Sequence, residues 1–388
     1  MKILITTDLY TTKTNGVVTS VRNLTNELLE MGHDVRILTF SETKRSRIDA
    51  NVYCIASASL QRIYPNLRMP IRYRHRYIKE LIQWKPDIIH SQCEFFSFQF
   101  AKVISKHTDA PIIHTYHSLY EQYVPYLIPS QRLGEFVVRT FTKKRLKKVD
   151  TVIAPTKKVE TVLRGYGVTR PVSIVPSGID LAQHKNRLSC EQRSQIRNSM
   201  GISDDELVLL NLGRLGKEKN IDELLTLFAA LLSENTKLKF LIVGDGPSRE
   251  DLENIVRQKQ LQDHVIFTGM IPPEQVQDYY QLADVFVSAS TSETQGLTYV
   301  EAAANGLPLL CRDDLCLDGV LIQGENGFSY TNPDEFSAGL RNLQQDREFS
   351  HRAGEKSSEI AQEFSCELFG KKVMDIYREA LSNTHPVH

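Results

Sequence analysis

Short apolar runs recur along this chain, each followed by a polar turn and then by a stretch with apolar residues every three or four positions. Residues 2–7 form the first run. The turn around Asn15 and Gly16 follows, and Val17, Val21, Leu24, Leu28 and Met31 then fall at helical spacing. Gly32-His33 stops that helix before a second run at 35–40. Runs at 87–91, 111–115 and 150–154, with a helix over 157–165, continue the alternation. After 172–176 a second series begins, with strands predicted at 207–212, 239–243, 265–268, 284–288 and 307–311 and helices over 220–234, 249–260 and 273–282. Repeated strand-then-helix order predicts parallel sheets covered on both faces. The expected fold class is α/β, with two doubly wound Rossmann-like domains and an interdomain cleft. Pro176-Ser177-Gly178-Ile179-Asp180 reads as the hinge, so the expected domains are 1–178 and 179–364, followed by a helical tail, 365–388.

Composition alters this picture in one respect. The chain has 388 residues, with 47 Lys+Arg against 47 Asp+Glu. Zero net charge argues against nucleic acid and anionic membranes as partners. Residues 1–180, however, hold 27 Lys+Arg and 15 Asp+Glu, a balance of +12, which leaves −12 for residues 181–388. No run approaches a spanning helix and the N-terminus lacks signal-peptide architecture, so a cytoplasmic protein, soluble or peripheral at a membrane, is expected. Six cysteines without a Cys-x-x-Cys pair suggest neither a disulfide framework nor a zinc knuckle.

In doubly wound sheets ligands gather beyond the carboxyl ends of the strands, and four loops there carry candidate chemistry. Gly16-Val17-Val18 opens a helix after the first strand, where glycine lets backbone N–H groups approach a phosphate. Gly213-Arg214-Leu215-Gly216-Lys217-Glu218-Lys219-Asn220 repeats the arrangement with fixed positive charge, and it is not a P-loop. Ser292-Glu293-Thr294-Gln295-Gly296-Leu297-Thr298-Tyr299-Val300-Glu301 places one carboxylate in a loop and another in the helix beginning near Gly296. The two can reach different hydroxyls of one sugar-bearing ligand, leaving N–H groups at Thr294, Gln295, Gly296 and Leu297 for a diphosphate. His114-Thr115-Tyr116-His117-Ser118-Leu119-Tyr120-Glu121 ends a strand, where a histidine can polarise a leaving group or a hydroxyl. No companion ligands at metal spacing accompany these histidines, so no metal is expected.

In this order the four motifs resemble the retaining glycosyltransferases of GT-B architecture, over nearly the whole chain. The resemblance implies that Arg214 and Lys219 hold the diphosphate of a nucleotide-sugar, Glu301 the ribose, and Glu293 the donor hexose. It further implies that Gly16 gives backbone room beside the phosphate, that His117 sits near the transferred sugar, and that the last helix returns to the N-terminal domain. More narrowly, Asn15-Gly16-Val17-Val18-Thr19-Ser20-Val21, the Tyr116-His117-Ser118 segment and Ser292-Glu293-Thr294-Gln295-Gly296 are similar to bacterial 1,2-diacylglycerol 3-α-glucosyltransferases. That branch implies UDP-glucose as donor, diacylglycerol as acceptor and no metal cofactor. Gln295 and Leu317-Asp318-Gly319-Val320 depart from the wider family, which has an aromatic residue or Pro at the first and Gly-Gly-x-x-Glu at the second.

The basic half then reads as a surface for anionic membrane. Arg62, Arg68, Arg72, Arg74 and Arg76 are interleaved with Ile63, Tyr64, Leu67, Met69, Ile71 and Tyr73. Arg139, Lys143, Lys144, Arg145, Lys147 and Lys148 follow the apolar segments 123–128 and 136–138. A solvated basic helix face with Tyr64 and Tyr73 packed inward is the alternative for the first cluster. An RNA partner has no recognition module to support it. Rival functions are a glycosyltransferase with a polysaccharide, other non-lipid or already glycosylated acceptor, a catalytically silent nucleotide-sugar-binding protein, and an epimerase.

Overall fold

The apolar runs become parallel strands in two separate sheets. The computed structural model describes residues 1–10, 16–60, 68–120, 130–185, 187–233 and 236–384. Asn15, Glu121 and the segments 62–67 and 123–128, singled out in the sequence, lie outside the described residues. The chain divides into one unit of Met1–Gly178 with Cys366–His388 and a second of Ile179–Ser365.

The first unit begins with β1 (Lys2–Thr6), α1 (Gly16–Glu30), β2 (Asp34–Phe40), β3 (Arg47–Asp49), β4 (Val52–Ile55), β5 (Ser57–Ser59) and β6 (Arg68–Pro70). It continues with α2 (Arg76–Trp84), β7 (Ile88–Ser91), α3 (Phe96–Thr108), β8 (Ile112–Thr115), α4 (Gln131–Leu146), β9 (Thr151–Ala154), α5 (Lys157–Gly165) and β10 (Val172–Ile174). Eight strands form one sheet in the order β10-β9-β8-β7-β1-β2-β4-β3, parallel except where β3 meets β4. Both faces of β1 are buried: Leu4 joins one hydrophobic cluster while Ile3 and Ile5 join the other.

The second unit contains α6 (Cys190–Ser199), β11 (Leu207–Leu212), α7 (Ile221–Leu232), β12 (Leu238–Val243), α8 (Arg249–Gln258), β13 (Val265–Gly269) and α9 (Val276–Leu282). After these come β14 (Val285–Ser288), α10 (Leu297–Ala304), β15 (Leu309–Arg312), β16 (Gly327–Tyr330), α11 (Pro333–Gln345) and α12 (Arg347–Ala361). Its six-stranded sheet is parallel throughout, in the order β13-β12-β11-β14-β15-β16. The strand order reverses between β11 and β14, which makes the carboxyl ends of these two strands the place where a ligand can enter between diverging connections.

Helix α13 (Cys366–Thr384) belongs to the first unit. Its Phe369, Val373, Met374 and Tyr377 pack with Ile3, Val21 and Leu24, and the Tyr377 hydroxyl meets His90 Nδ1 at 2.7 Å. The helix predicted over 220–234 is α7, at 221–232; Asn220, with φ 51, stands just before it and separates it from a single 3₁₀ turn, Lys217–Lys219. Residues 273–282 likewise divide into a 3₁₀ turn, Pro273–Gln275, and α9.

Candidate functional site

In the second unit the loops after β11 and β14 meet. Lys219 Nζ forms an ion pair with Glu293, the two side chains being 23% and 19% exposed. Ser292 Oγ donates to the Glu218 carbonyl at 3.1 Å, and Asn220 Nδ2 donates to the Ala289 carbonyl at 3.1 Å. These bonds tie one loop to the other, so the Lys219 and Glu293 side chains are fixed by backbone contacts on both sides. Arg214 Nη1 pairs with Glu218 at 2.8 Å and remains 43% exposed. The loop also depends on Gly244, which has φ 129 and where a Cβ would lie 1.9 Å from the carbonyl oxygen of Gly213.

Gly296 is the turn into α10. It adopts φ 74, and a Cβ there would lie 2.5 Å from the Tyr299 ring, so only glycine satisfies both conformation and space. Gln295 is buried just before it. Beyond it, the first-turn N–H groups of α10, from Leu297 onward, lie at the positive end of the helix dipole. Thr294 is half-buried beside them. About one helical turn further, the Glu301 carboxyl accepts from the Tyr280 hydroxyl at 2.8 Å. Burial pushes the Glu301 carboxyl up to about 7, against the opposing effect of the Tyr280 hydrogen bond. The predicted residues of this unit thus form two neighbouring groups on α10 and its approach: Lys219 with Glu293, and Glu301 with Tyr280. Arg214 has its own partner in Glu218. Leu317 and Val320, in the segment that departs from the wider family, are buried, and Gly319 has φ 76.

Gly16 and His117 belong to the first unit. Gly16 is the exposed first residue of α1. His117 Nε2 donates to the side-chain carbonyl of Gln92 at 2.7 Å. Burial, with His114 adding to it, pushes the His117 imidazole down to about 3, so it is neutral through the physiological range. It therefore acts as a hydrogen-bonding group and not as a fixed cation. His114 Nε2 meets Glu94 at 3.1 Å, and Tyr120 donates its hydroxyl to the other oxygen of the same carboxyl. Asp8, two residues past the end of β1, accepts from the Ser97 N–H at 2.7 Å, and burial pushes its carboxyl up to about 6. Asp8, Gln92, Glu94 and Tyr280 were missed in the sequence. A polar residue within three positions of the end of a buried strand, at a reversal of strand order, would have pointed to the first three; nothing local marks Tyr280, because its partner Glu301 stands on a helix two elements away.

Among the described residues no group of three or more His, Cys, Asp or Glu side chains is placed to hold a metal ion, and no helix is long and apolar enough to cross a membrane.

Comparison with known proteins places this geometry. Residues 192–359 match the family model "Glycosyl transferases group 1", and residues 14–183 match "Glycosyltransferase Family 4". The α-monoglucosyldiacylglycerol synthase of Streptococcus pneumoniae is 35% identical over 385 residues, covering 98% of this chain and 86% of that protein. The chain belongs to the group 1 glycosyltransferases. The enzyme of the same name from Acholeplasma laidlawii is 29% identical, covering 99% of this chain and 98% of its own. Among solved structures, Anabaena HepE in complex with UDP and glucose matches with a TM-score of 0.76 at 16% identity, over 98% of this chain and 100% of that one. The fold is GT-B, and this glycosyltransferase carries the switch-point residues described above in its C-terminal unit.

Proposed function

We propose that this glycosyltransferase moves glucose from UDP-glucose to diacylglycerol, with retention at the anomeric carbon, and forms an α-glucosyl lipid. The observation that carries the reading is the meeting of Lys219 and Glu293 at the reversal of strand order, beside the start of α10. Two near-full-length relatives are named as α-monoglucosyldiacylglycerol synthases, which supports the lipid product, and HepE was solved with UDP and glucose, which supports the donor. In this reading Arg214 and Lys219 receive the negative charge that develops on the departing diphosphate, together with N–H groups at Thr294–Leu297. Ligand charge competes with Glu218 and Glu293 for the two cations, freeing the Glu293 carboxylate for a hexose hydroxyl. Glu301 accepts the ribose hydroxyls. His117, neutral, hydrogen-bonds the transferred sugar, and Gly16 leaves room for the phosphate. Because cations and helix N–H groups meet the phosphate charge, the reading calls for no metal. Glu293 is a sugar contact and not a glycosidase-like nucleophile, which would need a partner carboxylate across the scissile bond.

The acceptor side of the reading draws on exposed surface in the first unit. On α4, Leu133, Phe136 and Val137 are exposed, Phe136 to 65%, and the same stripe continues into Lys143, Lys144 and Lys147. Phe136, Arg139, Thr140, Lys143, Lys144 and Lys147 line a groove of about 350 Å³. Arg145, by contrast, turns inward over the Phe141 and Phe98 rings. Beside Phe100 of α3, Met69, Ile71 and Tyr73 are exposed among Arg72, Arg74 and Arg76, with Tyr73 at 53% and its ring 6.0 Å from that of Phe100. Tyr73 is thus not packed inward. Apolar side chains among cations suit an anionic leaflet, each cation near it contributing ~1 kcal/mol. The enzyme would then work as a peripheral protein on the cytoplasmic face of the membrane.

Purified protein and its Lys219→Ala and Glu293→Gln variants, assayed with UDP-glucose and diacylglycerol in mixed vesicles, test the site. Loss of turnover by roughly a hundredfold or more is expected for Lys219→Ala, the usual scale for a transition-state charge partner. Near-normal turnover in both variants overturns the assignment.

A further inference from the structure

Tyr280 lies in the last turn of α9, in a stretch of sequence that offers no site motif. Its ring is fully buried, tilted against Phe286 at 6.3 Å between centroids, and Phe286 in turn meets Tyr299 edge-on at 5.8 Å. A ring clamped in this way sends its hydroxyl in one direction. That hydroxyl donates to Glu301 Oε2 at 2.8 Å, with the Thr298 carbonyl a more distant 3.5 Å away. Glu301 Oε1 has no hydrogen-bond partner among the described residues.

We propose that Tyr280 is a positioning residue for the nucleotide: its hydroxyl holds the Glu301 carboxylate in the orientation, and in the ionised form, that accept two neighbouring ribose hydroxyls. The inference rests on the reading of Glu301 as the ribose contact. A carboxylate meets a vicinal diol with two acceptor oxygens, whereas a protonated carboxyl converts one of them to a donor. A hydrogen bond to the charged form favours that form. Tyr280 supplies the bond from outside the ligand site, so the free protein already holds the acceptor geometry and less is left to order on binding. The other groups near this end of α10 are directed elsewhere. The Tyr299 hydroxyl is 3.0 Å from Ser288 Oγ, His184 and Arg187 bond to Asn305, and α12 contributes Gly354 and Ser358, which do not titrate. Tyr280 is thus the one titratable side chain that hydrogen-bonds this carboxyl among the described residues.

Calorimetric titration of UDP between pH 6 and pH 9 into the wild type, Tyr280→Phe, Glu301→Gln and the double variant tests the proposal. Phe keeps the ring and its packing, and thermal unfolding checks that each variant is folded. Tyr280→Phe is expected to weaken UDP binding roughly tenfold near pH 7, the scale of one hydrogen bond to a charged group. The midpoint of its affinity-against-pH curve should move to higher pH, and the donor KM should change more than kcat. In the Glu301→Gln background, Tyr280→Phe should have no further effect. Unchanged affinity and midpoint in Tyr280→Phe, or a full additional loss in the double variant, overturn the role of Tyr280 while leaving the ribose assignment standing. Undiminished UDP binding by Glu301→Gln overturns the ribose assignment, and the inference with it.

Discussion

Glu301 is a half-buried carboxyl with no cation paired to it among the described residues, and this has consequences for stability as well as for binding. Its folded-state value near 7 lies above the 4.5 of a free glutamate, so the folded protein binds this proton more tightly than the unfolded chain. The corresponding stability is fully present below about 4.5 and is lost as pH rises through about 7. Glu301→Gln is therefore expected to raise the unfolding temperature of the ligand-free protein at pH 8, by on the order of 2 kcal/mol of stability, with little change at pH 5. Calorimetry at the two pH values checks this, and equal shifts at both would contradict the burial argument. His117 has the opposite perturbation and stays neutral, so a His117→Ala variant should lower turnover without moving the acid limb of the pH profile. Motif letters made Lys219 and Glu293 legible as candidates, but not as partners. Their pairing follows from the reversal of strand order between β11 and β14, a property of the sheet that no local spacing contains.

Helix α4 places its apolar and basic positions on one stripe because Leu133, Phe136, Val137, Thr140, Lys144 and Lys147 recur at three- and four-residue steps, while Gly134, Val138, Thr142 and Leu146 face the core. Replacement of Phe136 by Ser together with Lys143 and Lys144 by Glu should abolish pelleting with anionic liposomes and leave the unfolding temperature nearly unchanged. Persistent binding would move the surface elsewhere. Of the elements, the buried parallel strands were legible as apolar runs to within one or two residues. Strand β16, the hairpin-like β3–β6 region and α2, α3, α4, α6, α11 and α12 were not assigned. Their apolar positions are interrupted by charge or gathered into aromatic pairs such as Phe98 and Phe100, so no single period stands out before tertiary packing selects one. The helix read at 220–234 is observed at 221–232, and Asn220, just before it, adopts a left-handed conformation that inserts a corner carrying Lys219 toward Glu293.

Across the whole molecule, the balance of +12 over residues 1–180 and −12 over residues 181–388 would be a division of labour in the proposed reaction. The basic part would meet the anionic leaflet, and the acidic part would hold the nucleotide-sugar with a few cations at one point. Liposome binding should consequently fall steeply with ionic strength, whereas UDP affinity should fall much less, because only the first depends on many exposed charges. Chelation with EDTA should leave turnover intact; a loss restored by a divalent cation would contradict the metal-free account of the leaving group. The most direct measurement is product identification: purified enzyme, a panel of UDP-sugars and mixed lipid extract, followed by mass spectrometry and anomeric assignment by NMR. The account predicts an α-monoglucosyl diacylglycerol formed from UDP-glucose alone, and a glycosylated polysaccharide or protein with no new glycolipid would contradict it.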